Sequence, residues 1–194
     1  MRRTIVAALG VALSLAAPPV WAQPLEIATD QSPVGLDPHV ATAFSTTMVL
    51  STIYEGLTAI NADLRVVPAL AESWTVSPDG LSYTFRLRPD IKFHDGRLLT
   101  PTDVVASMAR VRDPKTGSPF ASRFAMVTRV EPDGDRGVRF VLSTPSASFL
   151  VQLAALAIVP AGDADLAKQP DGTGPFRFKE WQPNTGSALD RNAA

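Results

Sequence analysis

Two histidines each stand beside an aspartate in this chain, in pairs that could do acid–base chemistry or hold a metal. His39 follows an Asp-Pro dipeptide, and His94 precedes an Asp-Gly dipeptide. An imidazole paired with a carboxylate can move protons, and the same pair offers one nitrogen and one oxygen ligand to a metal. Both sequences are also typical of turns in which Asp bonds its own backbone. We favour turns for both, less strongly for His39, which precedes a predicted helix N-terminus where ligands can approach.

Other signatures of catalysis are missing from the sequence. It has no cysteine, which excludes a thiolate nucleophile and a thiolate zinc site. No Gly-x-Ser-x-Gly nucleophile motif occurs. Gly172-Thr173-Gly174 lacks the third glycine of a dinucleotide-binding loop, so we interpret these glycines as a close backbone crossing. We therefore expect no enzyme and no cofactor, and a secreted enzyme using His94 and Asp95 is the weakest alternative.

The N-terminus predicts export. Arg2 and Arg3 precede an apolar stretch over 5–17, and Val20-Trp21-Ala22 has the pattern of a signal-peptidase site. The apolar stretch is shorter than the roughly 20 residues that span a bilayer. The 194 residues carry a formal net charge of −1, which gives no electrostatic footprint for nucleic acid. We expect a cleaved signal peptide at 1–22 and a soluble exported product.

The clearest local structure is a β-hairpin around Ser77-Pro78-Asp79-Gly80, whose proline and glycine fit a type I turn. After it, Tyr83, Phe85 and Leu87 share one face of a strand and should be buried. Thr100-Pro101-Thr102-Asp103 has the chemistry of a helix start, with Thr100 as cap and Asp103 in the first turn. The pattern also predicts strands at 25–29, 156–159 and 176–181, a helix through Phe44, Met48, Val49 and Ile53 capped by Thr42 or Ser45, a hairpin around 132–135, and a helix from Phe149 to Ala154.

Seven motifs give the chain a family resemblance. In chain order they are Leu36-Asp-Pro-His39, Tyr54-Glu-Gly-Leu57, Pro68-Ala-Leu-Ala-Glu-Ser-Trp74, the segment 77–88, Ile91-Lys-Phe-His-Asp-Gly96, Leu99-Thr-Pro-Thr-Asp-Val104 and Gly172-Thr-Gly-Pro-Phe176. Each one alone is weak, but seven in one order behind a signal peptide are specific. The chain resembles the family 5 solute-binding proteins of ABC importers, which bind dipeptides, oligopeptides, nickel complexes and related solutes.

The resemblance implies a mixed α/β fold of the periplasmic binding protein type II kind. It places the first part of lobe one at 23–56, an inserted strand-rich subdomain at 57–161 and an incomplete return to lobe one at 162–194. Family members are more than twice as long. The resemblance therefore implies the N-terminal part of a longer protein, with the second lobe missing.

The resemblance also implies a function and a site. We expect a periplasmic, monomeric component that captures di- or oligopeptides between two lobes and delivers them to a membrane permease. The residues that follow Asp-Pro-His approach the ligand cleft in the family, and Phe120 stands near a cleft aromatic. The expected ligand-binding residues are Val40, Ala41, Thr42, Phe44 and Phe120. A nickel or metal-chelate binder with His39 as ligand is the alternative, although Ala41 stands where nickel binders tend to have an aromatic.

Overall fold

The computed structural model describes residues 25–28, 31–162, 165–183 and 185–193, and these form a mixed α/β structure. The predicted signal peptide and its cleavage site lie outside the described residues. Within the described ranges, no helix is long and apolar enough to cross a membrane. The helices are α1 (Phe44–Ile53), α2 (Pro101–Arg112) and α3 (Phe149–Ala154), with a 3-10 turn at Ala121–Phe124. The strands are β1 (Thr58–Ile60), β2 (Val66–Pro68), β3 (Ala71–Val76), β4 (Ser82–Leu87), β5 (Val127–Asp133), β6 (Gly137–Leu142), β7 (Phe176–Gln182) and β8 (Gly186–Arg191).

A four-stranded antiparallel sheet in the order β3-β4-β6-β5 is the largest element. The predicted turn between β3 and β4 is confirmed, because the Gly80 N–H donates to the Ser77 carbonyl over 2.9 Å. Tyr83, Phe85 and Leu87 are all buried, as the alternation predicts. A one-residue slip would bury charged Arg86 instead, so the pattern fixes the register.

The main core cluster lies between this sheet and the helices. Phe140 is fully buried and packs edge-on against Phe85 and Phe149, with ring centroids 5.5 and 5.6 Å away. Such edge-to-face aromatic pairs add to the stabilisation from burial alone. Helix α2 covers the cluster with Val104, Met108 and Val111, as predicted from helical spacing.

The predicted start of α2 is confirmed. The Asp103 carboxylate accepts hydrogen bonds from the Thr100 backbone N–H at 2.8 Å and from the Thr100 hydroxyl at 2.7 Å. The same carboxylate also accepts from the Arg97 guanidinium and from the Ala161 N–H, each at 2.8 Å. Asp103 is fully buried, so its carboxylate ties the start of α2 and the loop before it to the distant Ala161.

Three sequence predictions about strands need correction. Segment 156–159 is buried but forms no strand, because its N–H groups bond elsewhere: Ile158 to the Glu55 carbonyl and Val159 to the Ser107 hydroxyl. Residues 25–28 form no strand either, and Thr29 lies outside the described residues. In the second hairpin, β5 continues through Pro132 and Asp133, so the turn comes later. An edge strand such as β5 tolerates proline.

Helix α1 forms where predicted, but of the four residues at helical spacing only Ile53 is fully buried. Phe44 and Met48 are 77% and 42% exposed and Val49 is partly buried. The buried face also includes Thr46 and Leu50. Ala43 occupies the cap position without a side-chain bond, so neither predicted cap forms. The hydroxyls of Ser45 and Thr46 form hydrogen bonds with the loop that precedes the helix. Ser45 donates to the Ser32 carbonyl, and Thr46 accepts from the Val34 N–H.

A second, smaller core cluster lies apart from the first. It contains Leu36, Leu50, Ile53, Tyr54, Val159 and Leu166, with Phe178, Trp181 and Leu189 packed against it. The main core cluster, or first core cluster, has all its buried members between Leu57 and Ile158. The division into lobe-one segments and an inserted subdomain at 57–161 stays a prediction, and Val159, which lies inside that range, packs in the second cluster.

Candidate functional site

The Asp-Pro-His segment is held by an arginine from α2. The Arg110 guanidinium donates to both carboxylate oxygens of Asp37, over 2.9 and 2.5 Å. Two parallel bonds of this kind fix geometry as well as charge. Burial acts to raise the pKa of Asp37, but the hydrogen bonds from Arg110 and from the His39 backbone outweigh it and hold the pKa below its usual value.

His39 is almost completely buried in the same cluster. Its Nδ1 lies 2.9 Å from an Arg110 nitrogen and its Nε2 lies 2.8 Å from the Ala157 carbonyl oxygen. Since arginine can only donate, Nδ1 is the acceptor and Nε2 carries the proton. Both ring nitrogens are thus engaged, and the described residues contain no group of three or more metal-ligating His, Asp or Glu side chains. The arrangement gives the metal hypothesis for His39 no support.

The residues that follow this anchored turn form the predicted ligand-binding segment. Val40 and Phe44 are exposed to 41% and 77%, and Thr42 is also exposed. Ala41 is partly buried against the second core cluster. Phe120 is placed differently, because it packs against the first core cluster and lies under the Arg123 guanidinium at 4.8 Å. Four of the five predicted residues therefore lie together in one segment, and Phe120 packs against a different core cluster from Ala41.

His94 holds the glycine loop. Its backbone N–H donates to the Gly172 carbonyl at 2.9 Å, and its Nε2 lies 2.9 Å from the Gly174 carbonyl oxygen. Asp95 accepts the Arg97 N–H, as expected for a turn. Asp171 stands beside this turn and accepts the Asp95 N–H. Burial, followed by the charge of Asp95, raises the pKa of Asp171. This contact network gives His94 a structural role.

The glycine loop crosses the end of α1 at very short range. A Cβ on Gly172 would lie 2.1 Å from the Ile53 carbonyl oxygen, and one on Gly174 would lie 2.5 Å from the Thr52 carbonyl oxygen. Between them, the Thr173 hydroxyl donates to the Glu55 carboxylate at 2.9 Å. The predicted backbone crossing is confirmed, and it joins the returning chain to the helix that carries Phe44.

Gly172→Ala should destabilise the protein by at least about 2 kcal/mol, because overpacking at a site that cannot relax costs about 1–3 kcal/mol or more. The added methyl would meet backbone atoms of Ile53 and the ring of Tyr54. Thermal unfolding of the full-length gene product, followed by circular dichroism, measures the effect.

Gly117→Ala is the matched control for this change. Gly117 has a φ of 63°, but a Cβ there meets nothing within 4 Å. Only the left-handed backbone penalty of about 1–2 kcal/mol applies. An equal or smaller loss of stability for Gly172→Ala would contradict the crossing.

Two residues of these contact networks, Arg110 and Tyr54, were not predicted from the sequence. Arg110 is a basic residue in the last turn of α2, and no local motif in the sequence marks it. Tyr54 was noted only as part of a motif; its hydroxyl accepts the Asp171 N–H, and burial raises its pKa above the usual range for tyrosine. A periodic pattern places Arg110 on α2 but does not say which distant loop it meets.

Comparison with known proteins decides the family. The model of the family described as bacterial extracellular solute-binding proteins, family 5 Middle, matches residues 65–194. The chain belongs to this family. The match covers most of the chain and confirms the relationship that the seven motifs predicted, together with the expectation that the chain is no enzyme.

Individual relatives support the same assignment. The family 5 chain is 35% identical over 188 residues to a glutathione-binding protein, GsiB, of Pectobacterium atrosepticum, covering 93% of the chain and 36% of that protein. It is 35% identical over 196 residues to di/tripeptide-binding protein 2 of Pseudomonas aeruginosa, covering 84% and 37%.

A solved structure shows the same fold. The oligopeptide-binding protein AppA of Bacillus subtilis, in complex with a nonapeptide, superposes with a TM-score of 0.79 at 30% identity, over 84% of this chain and 35% of AppA. This confirms the predicted periplasmic binding protein fold. The chain spans about a third of the length of the proteins it matches.

Proposed function

We propose that this family 5 protein is the exported solute-binding component of an ABC importer and that its solutes are di- or oligopeptides. The observation that carries the proposal is the family match, joined to relatives whose names specify glutathione, di/tripeptides and an oligopeptide. The partner is a permease in the inner membrane, and the binding protein acts in the periplasm as a monomer. The predicted signal peptide at 1–22 directs it there.

The binding segment supplies one wall of the cleft. Val40, Thr42 and Phe44 present an uncharged, partly apolar surface on top of a turn held by Arg110. Apolar surface with a few polar groups is typical of small-ligand sites. A second lobe closes over this surface when the ligand stabilises the closed state. Ala41 shapes the floor, and Phe120 contributes from the strand-rich subdomain.

The geometry weighs against His39 as a metal ligand in the metal-chelate alternative, because both ring nitrogens of His39 are bonded to Arg110 and Ala157. The enzyme alternative loses its basis as well. His94 bonds to the backbone of the glycine loop and the Asp95 carboxylate accepts the Arg97 N–H of its own turn, and the chain belongs to a family of binding proteins.

Calorimetric titration of the full-length gene product with di-, tri- and longer peptides and with glutathione tests the function. We expect saturable heat with at least one peptide class. Phe44→Ala should weaken that affinity at least about tenfold, which corresponds to 1.4 kcal/mol, through loss of an aromatic contact. Because Phe44 is 77% exposed, the melting temperature should change little.

Val151→Ala is the control for Phe44→Ala. Val151 is 49% exposed and lies on α3, which packs against β1 and β2. Its truncation should leave the affinity unchanged. No heat with any peptide would sink the proposed function, whereas unchanged affinity in Phe44→Ala would remove only Phe44 from the site.

A further inference from the structure

Arg110 connects two parts of the chain that are far apart in sequence. It projects from α2, whose buried residues Val104, Met108 and Val111 belong to the first core cluster. Its guanidinium reaches Asp37 and His39, more than 70 positions earlier in the chain. The arginine is 29% exposed and the aspartate 17%, so solvent screens this ion pair less than one at the surface.

The carboxylate that Arg110 grips also organises the backbone of its own loop. Asp37 Oδ1 accepts the His39 N–H at 2.9 Å. The Asp37 carbonyl accepts the Ala41 N–H at 2.9 Å and the Val40 N–H at 3.2 Å. Fixing the Asp37 side chain therefore fixes the backbone of the first residues of the binding segment.

His39 closes the network from the other side. It receives a hydrogen bond from Arg110 at Nδ1 and donates from Nε2 to the Ala157 carbonyl. Ala157 lies in the buried, irregular segment that follows α3. The turn is thus anchored from α2 and from segment 156–159, both of which lie in the proposed strand-rich subdomain.

We infer that Arg110 is a positioning residue for ligand binding, which holds the segment 39–44 in its binding conformation without contacting the ligand. The inference rests on the proposed function. Arg110 also borders a cleft of about 420 Å³ with Ala106, Asp113 and Pro160. Its terminal nitrogens nevertheless face Asp37 and His39, and a planar bidentate fork of this kind is not reproduced by lysine.

The network makes the positioning sensitive to pH. A protonated imidazole has no acceptor nitrogen, so protonation of His39 breaks its bond with Arg110. The charged groups that act on the imidazole are Asp37 on its own loop and Arg110 on α2, and Tyr54 at the end of α1 interacts with both of them. Burial, assisted by Arg110, lowers the pKa of His39 below 6.5. The contact is therefore complete at neutral pH and is lost as the pH falls through that lowered pKa.

Hydrogen exchange of the ligand-free, full-length gene product tests the positioning directly. Arg110→Lys and Arg110→Met should each speed exchange at the amides of residues 39–41 at least about tenfold, equivalent to 1.4 kcal/mol of protection. Exchange in β4 should not change. The control is Arg139→Met, which removes another arginine that makes two bonds to one carboxylate, that of Glu131. Unchanged exchange at 39–41 in both Arg110 variants would overturn the inference.

The pH profile of peptide affinity separates positioning from general stabilisation. Wild-type affinity should fall as the pH drops through the lowered pKa of His39, while Arg110→Met should bind more weakly at neutral pH and show a flattened profile. The profile of Arg110→Met flattens because this variant has no guanidinium, so protonation of His39 breaks no bond with residue 110. Parallel profiles would refute the inference. If the wild type binds no peptide, the proposed function fails, whereas the exchange data still decide whether Arg110 holds the segment.

Discussion

Tyr83→Asp is expected to unfold the strand-rich subdomain at 25 °C. Tyr83 is buried on the inner face of β4, with its ring 4.8 Å from that of Phe149. Losing a buried aromatic ring costs about 3–5 kcal/mol, and burying a carboxylate without a partner costs several more. The sum approaches the whole stability of an ordinary domain, about 5–15 kcal/mol. Circular dichroism and thermal unfolding of the full-length gene product provide the measurement.

Two neighbouring substitutions make this test specific. Thr84→Asp places the same charge on the opposite face of β4, across from Arg139 on β6, and should melt close to the wild type. Tyr83→Phe keeps the ring and loses only a long 3.4 Å hydrogen bond to the Ser146 carbonyl, so it should cost about 1 kcal/mol or less. A wild-type melt for Tyr83→Asp would show that the other face of β4 is buried.

Asp103→Asn should destabilise the protein by about 3–5 kcal/mol, the usual result of breaking a buried ion pair by removing one partner. The carboxylate accepts from Thr100, Arg97 and Ala161, and an amide has one oxygen with which to replace two. Chemical denaturation at pH 7 measures the loss. Asp63→Asn, on an exposed turn, is the control and should change stability by less than about 0.5 kcal/mol.

The pH dependence of stability gives a second measure of Asp103. Burial acts to raise its pKa, but the bonds from Arg97, Ala161 and Thr100 outweigh it, so the folded-state pKa lies below 3.8. Its contribution is therefore fully present above pH 3.8 and is lost as the pH falls through the lowered folded pKa. Asp103→Asn should flatten this acid limb. An unchanged limb would show that other groups, such as Asp37 with its similarly lowered pKa, account for the acid sensitivity.

Local chemistry allowed several elements to be predicted from the sequence. The turn at 77–80 requires residues that proline and glycine supply, and the start of α2 requires the capping residues Thr100 and Asp103. Alternation determined the buried face of β4, because both arginines of that segment had to remain in solvent. Gly172 and Gly174 indicated a close approach, because only glycine lacks the Cβ that would collide.

Elements whose partners lie far away in sequence could not be predicted in the same way. The buried face of α1 is set by what covers it, and the hydroxyl of Thr46 is fully buried because the Val34 N–H bonds to it. Segment 156–159 has the composition of a strand. Its Ile158 and Val159 N–H groups, however, donate to the Glu55 carbonyl and the Ser107 hydroxyl and do not pair with a neighbouring strand. Apolar composition predicts that segment 156–159 is buried but not which groups bond to it, and on α1 it does not identify the buried face, which includes the polar Thr46.

By itself, the sequence determined the family, the first hairpin and the position of the segment that follows Asp-Pro-His. Those features depend on residues close together in the chain or on motifs in a specific order. Only the tertiary structure decided what His39 and Asp103 do. Their partners Arg110 and Ala161 stand 71 and 58 positions away, and a hydrogen bond over such a distance exists only after the core has packed. The same dependence explains why Arg110 could be found only from the assembled fold.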